Sequence, residues 1–168
     1  MDTERYRTGS KRFWAAVVDG IVFMPILLVD RYLITSATNK FVLLTWQTFS
    51  IFIPVFYSII AHYKYGQTVG KWVTGVKVLD VTETRNISLQ QSFLRESVYL
   101  LVELTGFLYY VVSLLRSGEF QYRYIETNDF ASNFVFVWTL LELITMLTNS
   151  KRRAVHDFIA KSVVVRKE

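Results

Sequence analysis

Three carboxylates, Asp19, Glu103 and Glu142, lie inside segments that are otherwise apolar enough to cross a bilayer. An ionised side chain at that depth costs roughly 2.5–3.5 kcal/mol on insertion scales. Such a group is kept when it pairs with a basic residue at the membrane edge, holds a cation or exchanges protons. The residues leave both the structural and the ion-handling readings open. Asp19, Glu103 and Glu142 each stand six residues in from Phe13, Ser97 and Thr148, the inner ends of their segments. At about 1.5 Å of rise per residue they share a depth of about 9 Å, which permits one acidic cluster. Arg12 lies seven residues before Asp19 on the same helical face, about 10 Å away along the axis. Pro25 and Pro54 are the chain's two prolines and both fall in apolar segments. Each removes an amide, freeing the carbonyl of Ile21 or Ser50. A freed carbonyl is an oxygen ligand of the kind hard cations use, or the mark of a plain kink satisfied by a hydroxyl or water.

The elements that position these groups follow from the apolar runs. Spans are expected at about 13–34, 41–61, 97–115 and 133–148, each near the length that crosses about 30 Å of hydrocarbon. They predict an all-α membrane protein: a four-helix transmembrane bundle forming one domain over 1–168, with a loop at 62–96 and a tail at 149–168. With 52% hydrophobic and 16% aromatic residues, the composition fits a membrane protein better than a soluble globule. Asp19 and Pro25 interrupt the first apolar stretch and no small-residue cleavage site follows, so an uncleaved span is expected there. The interior-facing stripes agree. Ala15, Ala16, Asp19 and Gly20 form a small face that permits close helix approach. Gln47, Ser50, Pro54 and Ser58 line one polar face, and Thr139, Glu142, Thr145 and Asn149 another.

Charge sets the orientation. Of the 19 Lys and Arg residues, all but Arg31, Lys40, Arg116 and Arg123 lie in the N-terminal tail, the 62–96 loop or the C-terminal tail. The positive-inside rule therefore predicts a multi-pass protein of the cell membrane with both termini cytoplasmic. The net charge of +5 thus reads as topology signals and lipid contact at Lys151–Arg153, with no nucleic-acid partner. The absence of cysteine excludes disulfides and thiolate chemistry, and two histidines make a zinc site unexpected. No cofactor is expected.

The 62–96 loop carries structure of its own. Gly66, Gly70 and Gly75 punctuate it, and 73–81 (VTGVKVLDV) is rich in β-branched residues. Ser88 with Gln91 makes a capping box, predicting a helix from Leu89 into the third span. A second strand is expected at 162–165. The two strands should pair as a small cytoplasmic β element, since neither is stable alone. "GQTVGK" is one residue short of a phosphate-binding loop and lacks its Ser/Thr, so it reads as a backbone turn. His156–Asp157 has the types of a metal or acid–base pair but no third ligand in view. Asp157 is expected to accept charge-assisted bonds from Arg12 or Arg95, tying the tail to the helix ends.

Three signatures occur in order: "KRFWAAVVDGI" with Arg12 and Asp19, "GQTVGKWVTGVKVLD" followed by "FLRE", and "RRAVHDFIAKSVVV". Together they resemble the RDD family of bacterial membrane proteins, named for an arginine and two aspartates. Arg12 and Asp19 match the arginine and first aspartate, and Asp157 is assigned as the second. The resemblance implies a multi-pass membrane domain, with transport, including cation/proton exchange, suggested for the group. No nucleophile–base constellation stands out, so an enzyme is not expected. The leading expectation is a carrier of a monovalent cation or proton using Asp19, Glu103 and Glu142, acting alone or as a homo-oligomer. The alternative is a non-transporting membrane module for interaction or assembly. Arg12, Pro25, Pro54, Gly66, Gly70, Arg95, His156 and Asp157 are the expected structural or gating positions.

Overall fold

The computed structural model of the chain describes residues 3–36, 39–117 and 129–167. Arg123, counted above among the four outlying cations, lies outside the described residues. A 3-10 turn, Thr3–Tyr6, leads into α1 (Gly9–Ser36) and α2 (Lys40–Tyr65). A short helix α3 (Val69–Val73) and strand β1 (Val76–Asp80) follow, then α4 (Leu89–Ser117) and α5 (Asp129–Thr148). A single turn of helix, α6 (Val155–Ile159), and strand β2 (Ser162–Arg166) complete the described chain.

Local chemistry sets these boundaries. Asn39 caps α2 by accepting from the Phe41 amide at 2.9 Å, as short polar side chains do. The helix stops at Gly66, which adopts φ +69° and returns its N–H to the His62 carbonyl. A Cβ there would come within 2.8–2.9 Å of Lys77, Asn86 and the Val78 carbonyl, so both conformation and space require glycine. Ser88 and Gln91 exchange bonds of 3.0 and 3.2 Å at the start of α4, the reciprocal box read in the sequence. Pro25 and Pro54 both lie within continuous helix.

The long helices carry their apolar side chains outward. Leu28, Phe41, Leu101 and Phe136 are all more than 60% exposed, a surface that demands an apolar surrounding. Among the described residues two helical stretches are long and apolar enough to span a membrane, Glu4–Leu33 and Phe41–Tyr65. The third and fourth expected spans appear as helices of different character. α4 begins eight residues before 97 and carries Arg95, Glu96 and Glu103, while the apolar part of α5, Ser132–Thr148, is short. α2 packs chiefly on α4, with Phe52 edge-on to Phe107 at 5.8 Å.

The two strands pair antiparallel, with Val76 opposite Arg166 and Asp80 opposite Ser162. Val76, Val78, Ile87 and Val164 form one core, and Tyr6, Val163 and Val165 with Leu79 a second. Covering the pair in this way explains how so small a sheet persists. The first strand is shorter than expected: Val73 closes α3, and Gly75, at φ +67°, makes the turn into β1. The loop is also narrower than 62–96, because α2 continues to Tyr65 and α4 begins at Leu89.

Candidate functional site

Asp19 sits where α1 meets α3. Its carboxylate accepts from the Thr68 hydroxyl at 2.6 Å, the Gly70 amide at 2.8 Å and the Tyr57 hydroxyl at 3.2 Å. The Tyr57 oxygen in turn accepts from the Val69 amide at 2.7 Å. The first turn of α3 thus gives up two of its unpaired amides to groups on α1 and α2. Gly70 makes this approach possible: a Cβ would stand 2.0 Å from the Ala15 carbonyl oxygen and 2.8 Å from the Asp19 carboxyl carbon. The small face of α1 therefore receives the short helix α3. Pairing of Asp19 with Arg12, open from the sequence, does not occur, because three neutral donors take the carboxylate and Arg12 points to the tail.

Arg12 and Arg95 converge on Asp157. The Arg12 guanidinium reaches one carboxylate oxygen at 2.7 Å and Arg95 binds the other. Arg12 also donates to the Arg152 carbonyl at 3.1 Å, and Arg95 to the Ser162 hydroxyl at 2.9 Å. The Ala154 amide adds a bond of 2.9 Å to Asp157 as the cap of α6. Asp157 is fully buried, and burial opposes its ionisation. The Arg95 and Arg12 guanidiniums, with His156, overcome this and hold its carboxyl well below the usual carboxylate range. A charge-paired clasp joins α1, α4 and the C-terminal segment.

Between the helices lies a cavity of about 480 Å³. Asp19, Glu96 and Glu103 are its acidic lining residues, and Arg12, Lys71 and Arg95 its basic ones. Ala16, Gly20, Phe23, Pro54 and Val55 supply apolar wall. Glu96 accepts from Ser58 at 2.7 Å and lies 3.4 Å from Nδ1 of His62. His62 is buried and its Nε2 has no hydrogen-bond partner among the described residues. Glu142 is not part of the cavity wall. It pairs with Nδ1 of His156 and accepts from the His156 amide at 3.2 Å, and His156 itself lines the cavity. Two of the three acids thus share a cavity and the third adjoins it through a histidine. Burial, then the nearby Arg95, lower the Lys71 ammonium to about 8.

Of the other expected positions, Pro54 lies on the cavity wall and Pro25 does not, while Gly66 and Gly70 serve the turn and the close approach described above. Sequence reasoning missed Glu96, Lys71, His62 and Asp30. Glu96 lies one residue outside the expected third span, and Ser58, His62 and Glu96 are joined only when α2 and α4 pack. Asp30 is buried in α1 and accepts from Trp46 at 2.7 Å and Gln47 at 3.1 Å. Its position inside the extended first span was the signal that could have found it.

Fold and site together define a mostly helical membrane-associated protein with a small antiparallel sheet clasped to its helix ends. The chain belongs to the RDD family, whose model matches residues 6–161. No curated protein and no solved structure matches it.

Proposed function

We propose that the chain is a multi-pass carrier of a monovalent cation or proton, with the acid-lined cavity as its exchange site. The observation that carries this reading is the cavity of about 480 Å³ whose lining residues include Asp19, Glu96 and Glu103. Carboxylates beside an internal space inside a membrane protein are functional candidates by default. In this reading α4 and α5 also cross the bilayer, giving four spans with the sheet and both termini in the cytoplasm, in keeping with the distribution of Lys and Arg. Glu103 exchanges proton and cation, Asp19 holds α3 as part of the cavity wall, and Glu142 acts on the site through His156. Protonation of one site in competition with a cation couples the two fluxes. Purified protein in proteoliposomes should show cation flux driven by a pH gradient, lost in Glu103→Gln while the variant inserts and folds. Wild-type protein that moves none of Na⁺, K⁺, Li⁺ or H⁺ under any gradient rules the reading out.

A non-transporting assembly module is the second reading. It is favoured by the engagement of both Asp19 and Asp157 in joining one segment to another. It predicts that substitutions on the exposed sheet edge remove a co-purifying protein while flux is absent throughout.

A further inference from the structure

Among the described residues, Lys71 lines the cavity with no contact counter-ion. Among the described residues, no hydrogen bond or ion pair engages its ammonium, whereas Arg12 and Arg95 are held by Asp157. Its two acidic neighbours, Asp19 and Glu96, are themselves occupied. Asp19 is bonded by Thr68, Gly70 and Tyr57, and Glu96 by Ser58. An ammonium beside a cavity, with no contact counter-ion, is a place for an exogenous anion.

The surroundings narrow the anion's chemistry. On the same short helix Val69, Trp72 and Val73 are exposed, and Phe13 and Trp14 are exposed on α1. Tryptophans are enriched at the headgroup level of a bilayer, and the exposed Trp72 is the chain neighbour of Lys71 on α3. The cavity, at about 480 Å³, is far larger than the roughly 30 Å³ occupied by one water. It falls within the roughly 300–1,000 Å³ of organic-ligand sites. Its lining is mixed, with Lys71 and the carboxylates alongside Phe23, Pro54 and Val55. A compact ammonium binds phosphate as a point charge.

We infer that this cavity is a site for a phosphate ester, with Lys71 holding the phosphate oxygens and the apolar wall receiving the carbon skeleton. The phosphate reaches it either as a lipid headgroup or as a soluble ester; the chemistry at Lys71 is the same. This site shares its cavity with the exchange site proposed above, but its test does not depend on ion flux.

The test uses the full chain in phosphatidylcholine nanodiscs, with and without phosphatidylglycerol, and separately with glycerol 3-phosphate added in solution. In the wild-type protein, amine acylation followed by mass spectrometry reads each lysine. Acylation of Lys71 should slow at least fivefold with phosphatidylglycerol or with glycerol 3-phosphate, while that of the exposed Lys64 is unchanged. Protection by the lipid alone identifies a headgroup site, and protection by the soluble ester identifies a free phosphate ester. In parallel, Lys71→Gln should lower retention of the protecting ligand at least tenfold, with Lys71→Arg retaining it and Lys64→Gln behaving as wild type. Equal acylation of Lys71 under all conditions, or undiminished retention in a folded Lys71→Gln, overturns the proposal.

Discussion

At the scale of single residues, one buried carboxylate carries the largest electrostatic stake. Asp157 is completely buried between Arg12, 13% exposed, and Arg95, 4% exposed. Removing its charge leaves two guanidiniums without their counter-ion, and breaking a buried pair costs about 3–5 kcal/mol. Asp157→Asn should therefore lower stability by about that amount in chemical denaturation of the purified protein. The pH dependence has a definite sign. Because the folded-state value lies below the ordinary 3.8, the stabilisation is complete above about pH 4 and is lost as pH falls through the folded value. Acid titration of unfolding should thus be steeper in wild type than in Asp157→Asn. The types and order of Arg12, Arg95 and Asp157 were readable in the chain. That both arginines share the one aspartate was not, since Arg12 and Asp157 lie 145 residues apart and only folding brings them together.

At the scale of elements, α3 is the piece that periodicity could not reveal. Five residues are too few to show a helical repeat, and the first three lie among residues that read as a turn. Its position follows from the carboxylate of Asp19 meeting the Gly70 amide across the small face of α1. Gly70→Ala should push α3 away by placing a methyl against the Ala15 carbonyl. A loss of about 1–3 kcal/mol is expected, as for other overpacked contacts. Hydrogen exchange at the Gly70 and Lys71 amides should accelerate with it. The capping box before α4 is the opposite case. Ser88 and Gln91 are three residues apart, so the signal and the structure are both local. Ser88→Ala should cost about 1 kcal/mol, read as fraying of the first turn of α4. The strands were legible for the same reason, in their β-branched runs. Their ends were not, because Gly75 and α3 set the start of β1.

At the scale of the whole molecule, the proposed topology puts the sheet, the N-terminal turn and the C-terminal segment on one side. The chain has no cysteine, so single cysteines report sidedness directly. Thr84→Cys should be labelled by an impermeant thiol reagent only after the cytoplasmic side is opened, and Ser36→Cys from the outside of intact cells. Labelling of both from the same side would contradict the four-span arrangement. The sequence by itself determined the helical membrane character, the pairing-prone strands and the family signatures. Apolar length, charge placement and capping are properties of contiguous residues. Tertiary structure alone decided which groups meet: Asp19 with α3, Asp157 with two arginines, and Lys71 with a cavity. Those contacts join residues far apart in the chain, and their energies depend on burial and on competing donors, which exist only once the helices have packed.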